Sequence, residues 1–311
     1  MKELHKFGVW LKQIRANFLI LAVLLVAIGL TFTYKYQYFT EVQFNIFHAV
    51  LVLIGVVTAH ISVNLFNEYS DYKTKIDFNT ERTPFSGGSG MLTEGYTNPK
   101  TVLFVSVFTL IISLIIGIYF TIVSHWTIGI IVALGAFAIV FYTNYLSKIF
   151  IGEFFAGLTL GSLVVIGTYI VMTATPQTPF ESLVPKEIIF ISIPPGLLTS
   201  LLLFLNEFPD TEADRQGGRY HLIVKLGKKT AAYVYTVVLV FTFGIILLLP
   251  ILGISSIWVY IALLPIPIAI KTSIKTIKFG SNNKIIIPVL GNNVIIVLAT
   301  DFLLAVSGLF Q

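Results

Sequence analysis

Residues 64–71 read Asn-Leu-Phe-Asn-Glu-Tyr-Ser-Asp, and residues 206–214 read Asn-Glu-Phe-Pro-Asp-Thr-Glu-Ala-Asp. Each of these two acidic motifs stands at the end of an apolar stretch, and Asp77 follows the first one. Carboxylates inside or beside a lipid bilayer are costly, so they usually mark a working site. The two motifs therefore indicate where the functional site of a membrane protein lies.

The composition around the motifs is that of an integral membrane protein. Of the 311 residues, 56% are hydrophobic and only 11% are charged, which is outside the range of water-soluble domains. A helix needs about 20 apolar residues to cross a hydrocarbon core, and the runs lack the alternation of a membrane β-barrel. The sequence predicts an all-α fold with nine transmembrane helices, near 16–34, 43–67, 101–123, 126–146, 153–173, 187–206, 230–250, 254–270 and 285–309.

Basic residues predict the orientation in a cell membrane. With a cytoplasmic N-terminus, the inner segments carry 18 Lys and Arg residues and the outer segments carry two. The positive-inside rule then places the C-terminus outside. The two long connections, near 68–100 and 207–229, follow the acidic motifs on the cytoplasmic face. The formal charge of +5 reflects this surplus and does not indicate a nucleic-acid partner.

The whole chain, residues 1–311, is expected to form one transmembrane domain. The motifs follow the second and sixth spans, which suggests a repeat of 16–146 and 153–270 with a ninth helix over 285–309. The chain has no cysteine, which excludes disulfides, thiolate metal sites and thiol nucleophiles.

The first motif forms one face of a helix. At about 100° per residue, Asn64, Asn67 and Asp71 fall on one narrow stripe. A continuing helix would turn Asp77 to the opposite side. Asp77 can join the site only if the helix ends soon after Asp71, which the polar stretch 73–75 allows.

The second motif also forms one face. Asn206, Asp210 and Asp214 are four residues apart and therefore lie on the same side of a helix. Pro209 precedes Asp210, and it is expected to break the helical hydrogen bonding there and open backbone groups toward a polar cavity.

Converging carboxylates need a cation between them, because two unit charges about 4 Å apart repel by on the order of 4 kcal/mol at an effective dielectric of about 20. Oxygen ligands, with no Cys in the chain and no His in either motif, fit Mg²⁺ that also binds phosphate oxygens. The sequence predicts a Mg²⁺–diphosphate site. Basic residues that could take up the remaining phosphate charge are Arg82, Arg215, Arg219 and Lys225.

The paired motifs resemble those of a known family. Asn67-Glu-x-x-Asp71 with Asp77, followed by Asp210-x-x-x-Asp214, is similar to the aspartate motifs of the UbiA superfamily of intramembrane aromatic prenyltransferases. The resemblance covers nearly the whole chain. It is nearest to the 1,4-dihydroxy-2-naphthoate prenyltransferases of menaquinone synthesis, through residues 67–73, 152–153, 161–169, 210–215 and 222–227.

This resemblance implies a helical bundle around a central cavity that opens sideways to lipid, with the motifs facing each other under a cytoplasmic cap. It implies an enzyme that ionises an allylic diphosphate held by Mg²⁺ and couples the carbocation to an electron-rich ring. For 1,4-dihydroxy-2-naphthoate it also implies loss of the carboxylate as CO₂. The implied partners are an isoprenyl diphosphate, an aromatic acceptor and membrane lipid, with no obligate protein partner.

Matching positions in the family imply the roles of individual residues. Asp71, Asp210, Tyr142 and Lys148 are the expected catalytic residues, with Tyr142 and Lys148 contacting the diphosphate or the carbocation. The implied metal ligands are Asn67, Asp71, Asp77, Asp210 and Asp214. Asn64, Asn67 and Asn206 are the substrate-binding residues implied by the family, and the basic candidates Arg82, Arg215 and Lys225 complete the expected set.

Several positions depart from the family pattern or have two readings. Lys75 stands where Gly is frequent, and His221 where quinone-pathway relatives often have Thr. Glu153 is either a functional acid or a favourable charge at a helix N-terminus. The 82–90 loop, Arg-Thr-Pro-Phe-Ser-Gly-Gly-Ser-Gly, is either a lid over phosphate or a plain flexible loop. Asp301 is expected to be solvated at the outer interface.

Other functions remain open at the level of sequence. Within the family, the acceptor could instead be 4-hydroxybenzoate, a glycerol phosphate lipid or haem. A cation-coupled transporter also places acids within a helical bundle, but usually near the bilayer midplane rather than at one face. A lipid-binding protein without catalytic activity would not need two acidic motifs.

Overall fold

The computed structural model describes residues 6–39, 43–80, 82–142, 145–279 and 283–311, and all regular structure in these ranges is helical. Residues 157–162 are π-helical. The helices are α1 (Lys6–Gln13), α2 (Leu19–Phe39), α3 (Ile46–Lys73), α4 (Ile76–Asn79), α5 (Pro99–Val123), α6 (Thr127–Phe141), α7 (Gly152–Ala156), α8 (Leu163–Thr173), α9 (Lys186–Gln216), α10 (Leu222–Leu226), α11 (Lys228–Ile251), α12 (Ile266–Phe279) and α13 (Asn283–Ser307).

The predicted all-α membrane fold is confirmed. Helical segments occupy all nine predicted intervals, and the described residues contain eight segments long and apolar enough to cross a membrane. The remaining helix, α6, has 15 residues and is shorter than the predicted 126–146. At 1.5 Å per residue it is about 22 Å long, against roughly 30 Å for a hydrocarbon core. The repeat of residues 16–146 and 153–270 stays a prediction.

The short helix α6 nevertheless connects opposite ends of the bundle. Just before it, the Ser124 hydroxyl donates to the carbonyl of Ile170 near the end of α8, at 3.0 Å. Just after it, Tyr142 lines the same cavity as Asn67 and Asn206, near the ends of α3 and α9. The chain therefore returns through α6 to the end of the bundle that carries the acidic motifs.

Interhelical hydrogen bonds tie the last helix to the core. The Tyr235 hydroxyl of α11 donates to Asn293 Oδ1 at 2.9 Å, and Asn293 Nδ2 donates to the carbonyl of Leu201 at 3.1 Å. A polar side chain inside a membrane bundle is stable when it bridges helices in this way. The main apolar core surrounds these bonds, and its fully buried members include Leu25, Val165, Leu205, Tyr235 and Val289.

Two glycines let α9 approach the π-helical segment closely. A Cβ added to Gly161 would lie 2.5 Å from the Cα of Gly196, a distance that real Cβ atoms do not show. Small residues allow such close backbone contact in membrane helix pairs. The π-helical turn adjoins the cavity through Thr159 and Leu160. Close packing at the two glycines therefore holds one wall of the cavity in place.

The structure corrects the expectation for Pro209. Helix α9 runs without interruption from Lys186 to Gln216 through Pro209, so the expected break beside Asp210 does not occur. Proline has no N–H for the carbonyl four residues earlier, but the helix can continue when tertiary packing supports it. Phe208, next to Pro209, is fully buried in the main core and supplies that packing.

The structure also corrects Asp301. This residue was expected to be solvated at the outer end of the last helix, but its side chain is fully buried within α13. Neither carboxylate oxygen has a hydrogen-bond partner among the described residues. Its distance from Lys284 along the chain predicted an interfacial position, whereas packing around α13 encloses it.

The glycine contact between α9 and the π-helical segment generates a stability test. Gly161→Ala should lower the unfolding temperature in detergent, because overpacking a tight contact costs about 1–3 kcal/mol. Gly244→Ala on α11 is the matched control, since a Cβ there meets nothing within 4 Å. Thermal unfolding of both purified variants measures the difference, and equal unfolding temperatures would contradict the close approach.

Candidate functional site

The two acidic motifs meet at one end of the bundle. Helix α3 ends at Lys73, two residues after Asp71. This early end is the condition under which Asp77 was expected to join the site. Lys75 then adopts a left-handed conformation with φ of 62°, which turns the chain into the short helix α4. This turn brings Asp77 inward, where it is 5% exposed. Lys75 therefore makes this turn although it is not a glycine.

Arg219 joins the two motifs directly. Its guanidinium forms an ion pair with Asp71 of α3 and lies 3.5 Å from Asp214 Oδ1 of α9. Asp214 is 2% exposed, and its other oxygen lies 3.1 Å from His221 Nε2. Arg219 follows the end of α9, so one cation bridges carboxylates from two separate helices.

The 82–90 loop covers the second motif and Asp77. The Gly87 N–H donates to Asp210 Oδ2 at 3.2 Å, and Asp210 Oδ1 is buried without a hydrogen-bond partner among the described residues. Gly88 has a φ of +72°, and a Cβ there would lie 2.6 Å from Asp77 Oδ2. A side chain at Gly88 would therefore displace either the loop or the carboxylate.

Glu68 fastens the same loop to the first motif. Its carboxylate is 1% exposed and accepts four hydrogen bonds. The N–H and hydroxyl of Ser89 each donate at 2.6 Å, Gln13 Nε2 donates at 3.0 Å and Arg15 Nε at 3.1 Å. Glu68 therefore links the loop, α3 and the segment before α2. This linking role, which needs three distant segments, was not part of the sequence prediction.

A largely apolar cavity of about 290 Å³ begins at this end of the bundle. Helices α3, α5, α6, α8 and α9 and the π-helical segment supply most of its lining. Asp71 and Asp210 stand one helical turn beyond Asn67 and Asn206, so the acidic motifs lie next to the polar end of the cavity. The polar residues at that end are Arg15, Asn64, Asn67, Tyr142 and Asn206.

The predicted basic residues are less buried than the carboxylates. Arg82, at the start of the 82–90 loop, pairs with Glu94 and Thr93 just after it. The Lys225 ammonium lies 4.3 Å from the centre of the Phe150 ring. The structure therefore leaves these groups at the rim and brings Arg219 to the centre. The exposed members of the predicted set are Arg82, Lys148, Arg215 and Lys225.

Burial and neighbouring charges shift the pKa values of ionisable groups just beyond the helix ends. Burial, and then the negative charges of Asp71 and Glu68, raise the pKa of Asp77 to about 7. Burial alone would lower the pKa of Arg219, but the carboxylates of Asp71 and Asp214 outweigh this and raise it. The centre therefore has an excess of negative charge, which Arg219 compensates only in part.

Arg15 is a site residue that the sequence prediction missed. It lines the cavity and contacts Glu68, and it has a left-handed backbone conformation with φ of 53°. In the sequence it is one of several basic residues before the first apolar run. Its position at that boundary is the only sequence signal, because the turn that directs it inward is not encoded by a glycine.

The bridging position of Arg219 generates a second test. Arg219→Gln should lower the free energy of unfolding in metal-free buffer by about 3 kcal/mol, because it leaves buried carboxylates without their cation. Arg215→Gln removes an exposed charge from the same helix end and should change it by less than about 0.5 kcal/mol. Thermal or denaturant unfolding in EDTA makes the comparison, and equal losses would argue against the bridge.

The hydrogen bonds that Glu68 accepts from the 82–90 loop lead to a third test. Glu68→Ala should speed amide hydrogen exchange at Gly87 and Ser89 by roughly tenfold or more, since hydrogen bonds to charged groups contribute about 1.5–3 kcal/mol. Glu94→Ala is the control, because it removes an exposed partner of Arg82 and leaves the link to α3 intact. Unchanged exchange in Glu68→Ala would show that the loop is held by other contacts.

Comparison with known proteins agrees with this architecture. A model of the UbiA prenyltransferase family matches residues 22–287. The 1,4-dihydroxy-2-naphthoate octaprenyltransferase of Bacillus subtilis (strain 168) is 27% identical over 244 residues, which are 74% of this chain and 71% of that protein. The protein of the same name from Escherichia coli (strain K12) is 24% identical over 280 residues, 87% of this chain and 85% of its own.

Solved structures share the fold at low sequence identity. The apo structure of a UbiA homolog from Aeropyrum pernix K1 has a TM-score of 0.63 and 13% identity, covering 90% of this chain and 98% of that one. A UbiA homolog from Archaeoglobus fulgidus bound to DMAPP and Mg²⁺ has a TM-score of 0.57 and 14% identity, covering 96% and 99%. Because the family model spans most of the chain, this protein belongs to the UbiA prenyltransferase family.

Proposed function

We propose that this prenyltransferase moves a prenyl chain from an isoprenyl diphosphate to an aromatic acceptor, with 1,4-dihydroxy-2-naphthoate as the favoured acceptor. The observation that carries the proposal is the junction of Asp71 and Asp214 through Arg219, next to the polar end of an apolar cavity. A charged diphosphate and an apolar chain on one molecule need these two environments side by side.

The donor groups at the junction fit magnesium. They are carboxylate and amide oxygens, the hard ligands that Mg²⁺ prefers. Asp210 Oδ1 is buried without a hydrogen-bond partner among the described residues, so this oxygen is available for a cation. When bound, Mg²⁺ would neutralise the diphosphate and stabilise it as a leaving group. The residues that would hold it are Asn67, Asp71, Asp77, Asp210 and Asp214.

Basic side chains would hold the rest of the diphosphate charge. Arg219 is buried at the carboxylates, and Arg15 lines the polar end of the cavity. A guanidinium forms bidentate, charge-assisted hydrogen bonds with a phosphate as it does with a carboxylate. The rim residues that would attract the diphosphate from outside are Arg82, Lys148, Arg215 and Lys225.

The apolar cavity suits the carbon chemistry. The allylic C–O bond breaks with its electron pair leaving on diphosphate, and the cation forms a C–C bond with an electron-rich ring carbon. The ring then regains aromaticity by losing a proton or, from a carboxylated carbon, CO₂. Apolar walls exclude water that would otherwise trap the cation, and the Tyr142 ring at the polar end offers a π-face to it.

The acceptor is supported by sequence similarity. Two proteins named 1,4-dihydroxy-2-naphthoate octaprenyltransferase match most of the chain at 27% and 24% identity. We therefore favour a role in menaquinone synthesis. Prenyl chain length depends on cavity depth and on access from lipid, so we assign a long isoprenoid without a fixed number of units.

We also propose the orientation of the protein in the cell membrane. The 18 basic residues of the inner segments favour a cytoplasmic N-terminus and an outer C-terminus. In this orientation the 82–90 loop and Arg219 face the cytoplasm.

The central prediction concerns the two motif aspartates. Asp71→Asn and Asp210→Asn should each lower turnover by roughly a thousandfold, since each removes a charged ligand for the Mg²⁺–diphosphate group. Glu212→Gln is the matched control, because it neutralises an exposed carboxylate between the two aspartates of α9. Prenylated product is measured with purified protein in lipid, and near-normal Mg²⁺-dependent activity in either aspartate variant would contradict the assignment.

The acceptor is tested in the same system. Farnesyl or geranylgeranyl diphosphate is supplied with 1,4-dihydroxy-2-naphthoate, 4-hydroxybenzoate or a glycerol phosphate lipid, in Mg²⁺ or in EDTA. We expect a Mg²⁺-dependent prenylated naphthoquinol. Product with another acceptor would keep the reaction class and change the pathway, and no cleavage of diphosphate with any acceptor would contradict the proposed reaction.

A further inference from the structure

A second group of buried polar side chains lies beside the acidic motifs. Glu153 lies in the first turn of α7, Glu207 stands on α9, and His221 precedes α10. One potential ligand atom from each lies within 4.8 Å of the others. His221 is fully buried and Glu153 is 6% exposed. These three residues, which we call the Glu-Glu-His cluster, have no role in the function proposed above.

Glu153 and His221 are each held by one contact, and all three members of the cluster leave an atom without a partner. Glu153 Oε1 accepts from the N–H of Leu222 at 3.0 Å, and His221 Nε2 lies 3.1 Å from Asp214 Oδ2. Among the described residues, Glu153 Oε2, Glu207 Oε2 and His221 Nδ1 are buried without a hydrogen bond. His221 Nδ1 lies 3.4 Å from Glu207 Oε2, outside hydrogen-bond geometry.

The chemistry of these atoms favours a metal more strongly than a substrate. Two carboxylates in a buried site repel each other unless a cation or a shared proton lies between them. Imidazole nitrogen and carboxylate oxygen are both ligands of Zn²⁺, and three protein ligands leave a fourth position for water. Mg²⁺ prefers oxygen ligands alone, so this set differs from that of the paired aspartate motifs.

The surroundings of His221 support the same conclusion. A histidine that binds a metal through one ring nitrogen almost always donates its other N–H to a carboxylate or carbonyl, which fixes the ring. Asp214 stands at the required place, on Nε2. His221 Nδ1 is thereby directed at the Glu207 carboxylate, where a cation would be bound.

We propose that Glu153, Glu207 and His221 bind one divalent transition-metal ion of the Zn²⁺ type, at a site separate from the Mg²⁺–diphosphate site. The ion would join α7, α9 and the start of α10. Through His221 it would also fix the position of Asp214. The proposal rests on the cluster geometry alone and does not depend on the proposed reaction or acceptor.

The first experiment uses the wild-type protein purified in detergent and stripped with EDTA. Zn²⁺ or Co²⁺ is added with excess Mg²⁺, unbound metal is removed, and bound metal is measured by mass spectrometry. We expect about one Zn²⁺ per chain and, for Co²⁺, visible absorption bands typical of a low-symmetry site with a nitrogen ligand. No retained Zn²⁺ would mean that protons neutralise the cluster, and it would overturn the proposal.

Variants then locate the ion. Glu153→Gln and His221→Asn should each weaken Zn²⁺ binding by roughly tenfold or more. Asp71→Asn changes only the paired aspartate motifs, and Glu181→Gln changes an exposed carboxylate, so both should bind Zn²⁺ as the wild type does. If the cluster variants retain Zn²⁺ and Asp71→Asn loses it, the ion lies at the paired aspartates and the proposal is refuted. If a cluster variant fails to fold, the wild-type Co²⁺ spectrum decides.

Discussion

Repulsion between buried carboxylates is the constraint on which the rest of this structure depends. Asp71 and Asp77 come from one part of the chain, and Asp210 and Asp214 from another, yet all four converge at one end of the bundle. Such an arrangement is unstable unless positive charge or hydrogen-bond donors are supplied nearby. The protein supplies Arg219 at the centre and backbone N–H groups from a glycine-rich loop. The negative charge that remains uncompensated is the feature on which the proposed cation site rests.

The apolar part of the bundle has two regions, the lining of the cavity and the main core. The cavity is lined mainly by helices between α3 and α9, whereas α11 and α13 contribute to the main core on the other side of α9. Helix α9 belongs to both, since Leu202 lines the cavity and Leu205 is buried in the core. The position of the second motif therefore depends on packing against both sides of α9.

Sequence alone predicted the parts of the structure that follow from periodicity. Apolar runs predicted the helical segments. The four-residue spacing of Asn206 and Asp210 predicted that they share a face of one helix, and they do so because α9 stays helical through Pro209. Spacing could not identify Arg15, whose inward direction depends on a left-handed residue at the start of the bundle. Nor could it bring His221 to Glu207, because that contact depends on how the segment after α9 folds back. The missed residues are those placed by irregular backbone.

The 82–90 loop holds both motifs through neighbouring residues. Gly87 donates to Asp210 and Ser89 donates to Glu68, with a single residue between them. So short a connection cannot move away from one helix while keeping its geometry on the other. The loop therefore sets the separation between Asp210 on α9 and Glu68 on α3, because the two N–H groups that anchor it are only two residues apart.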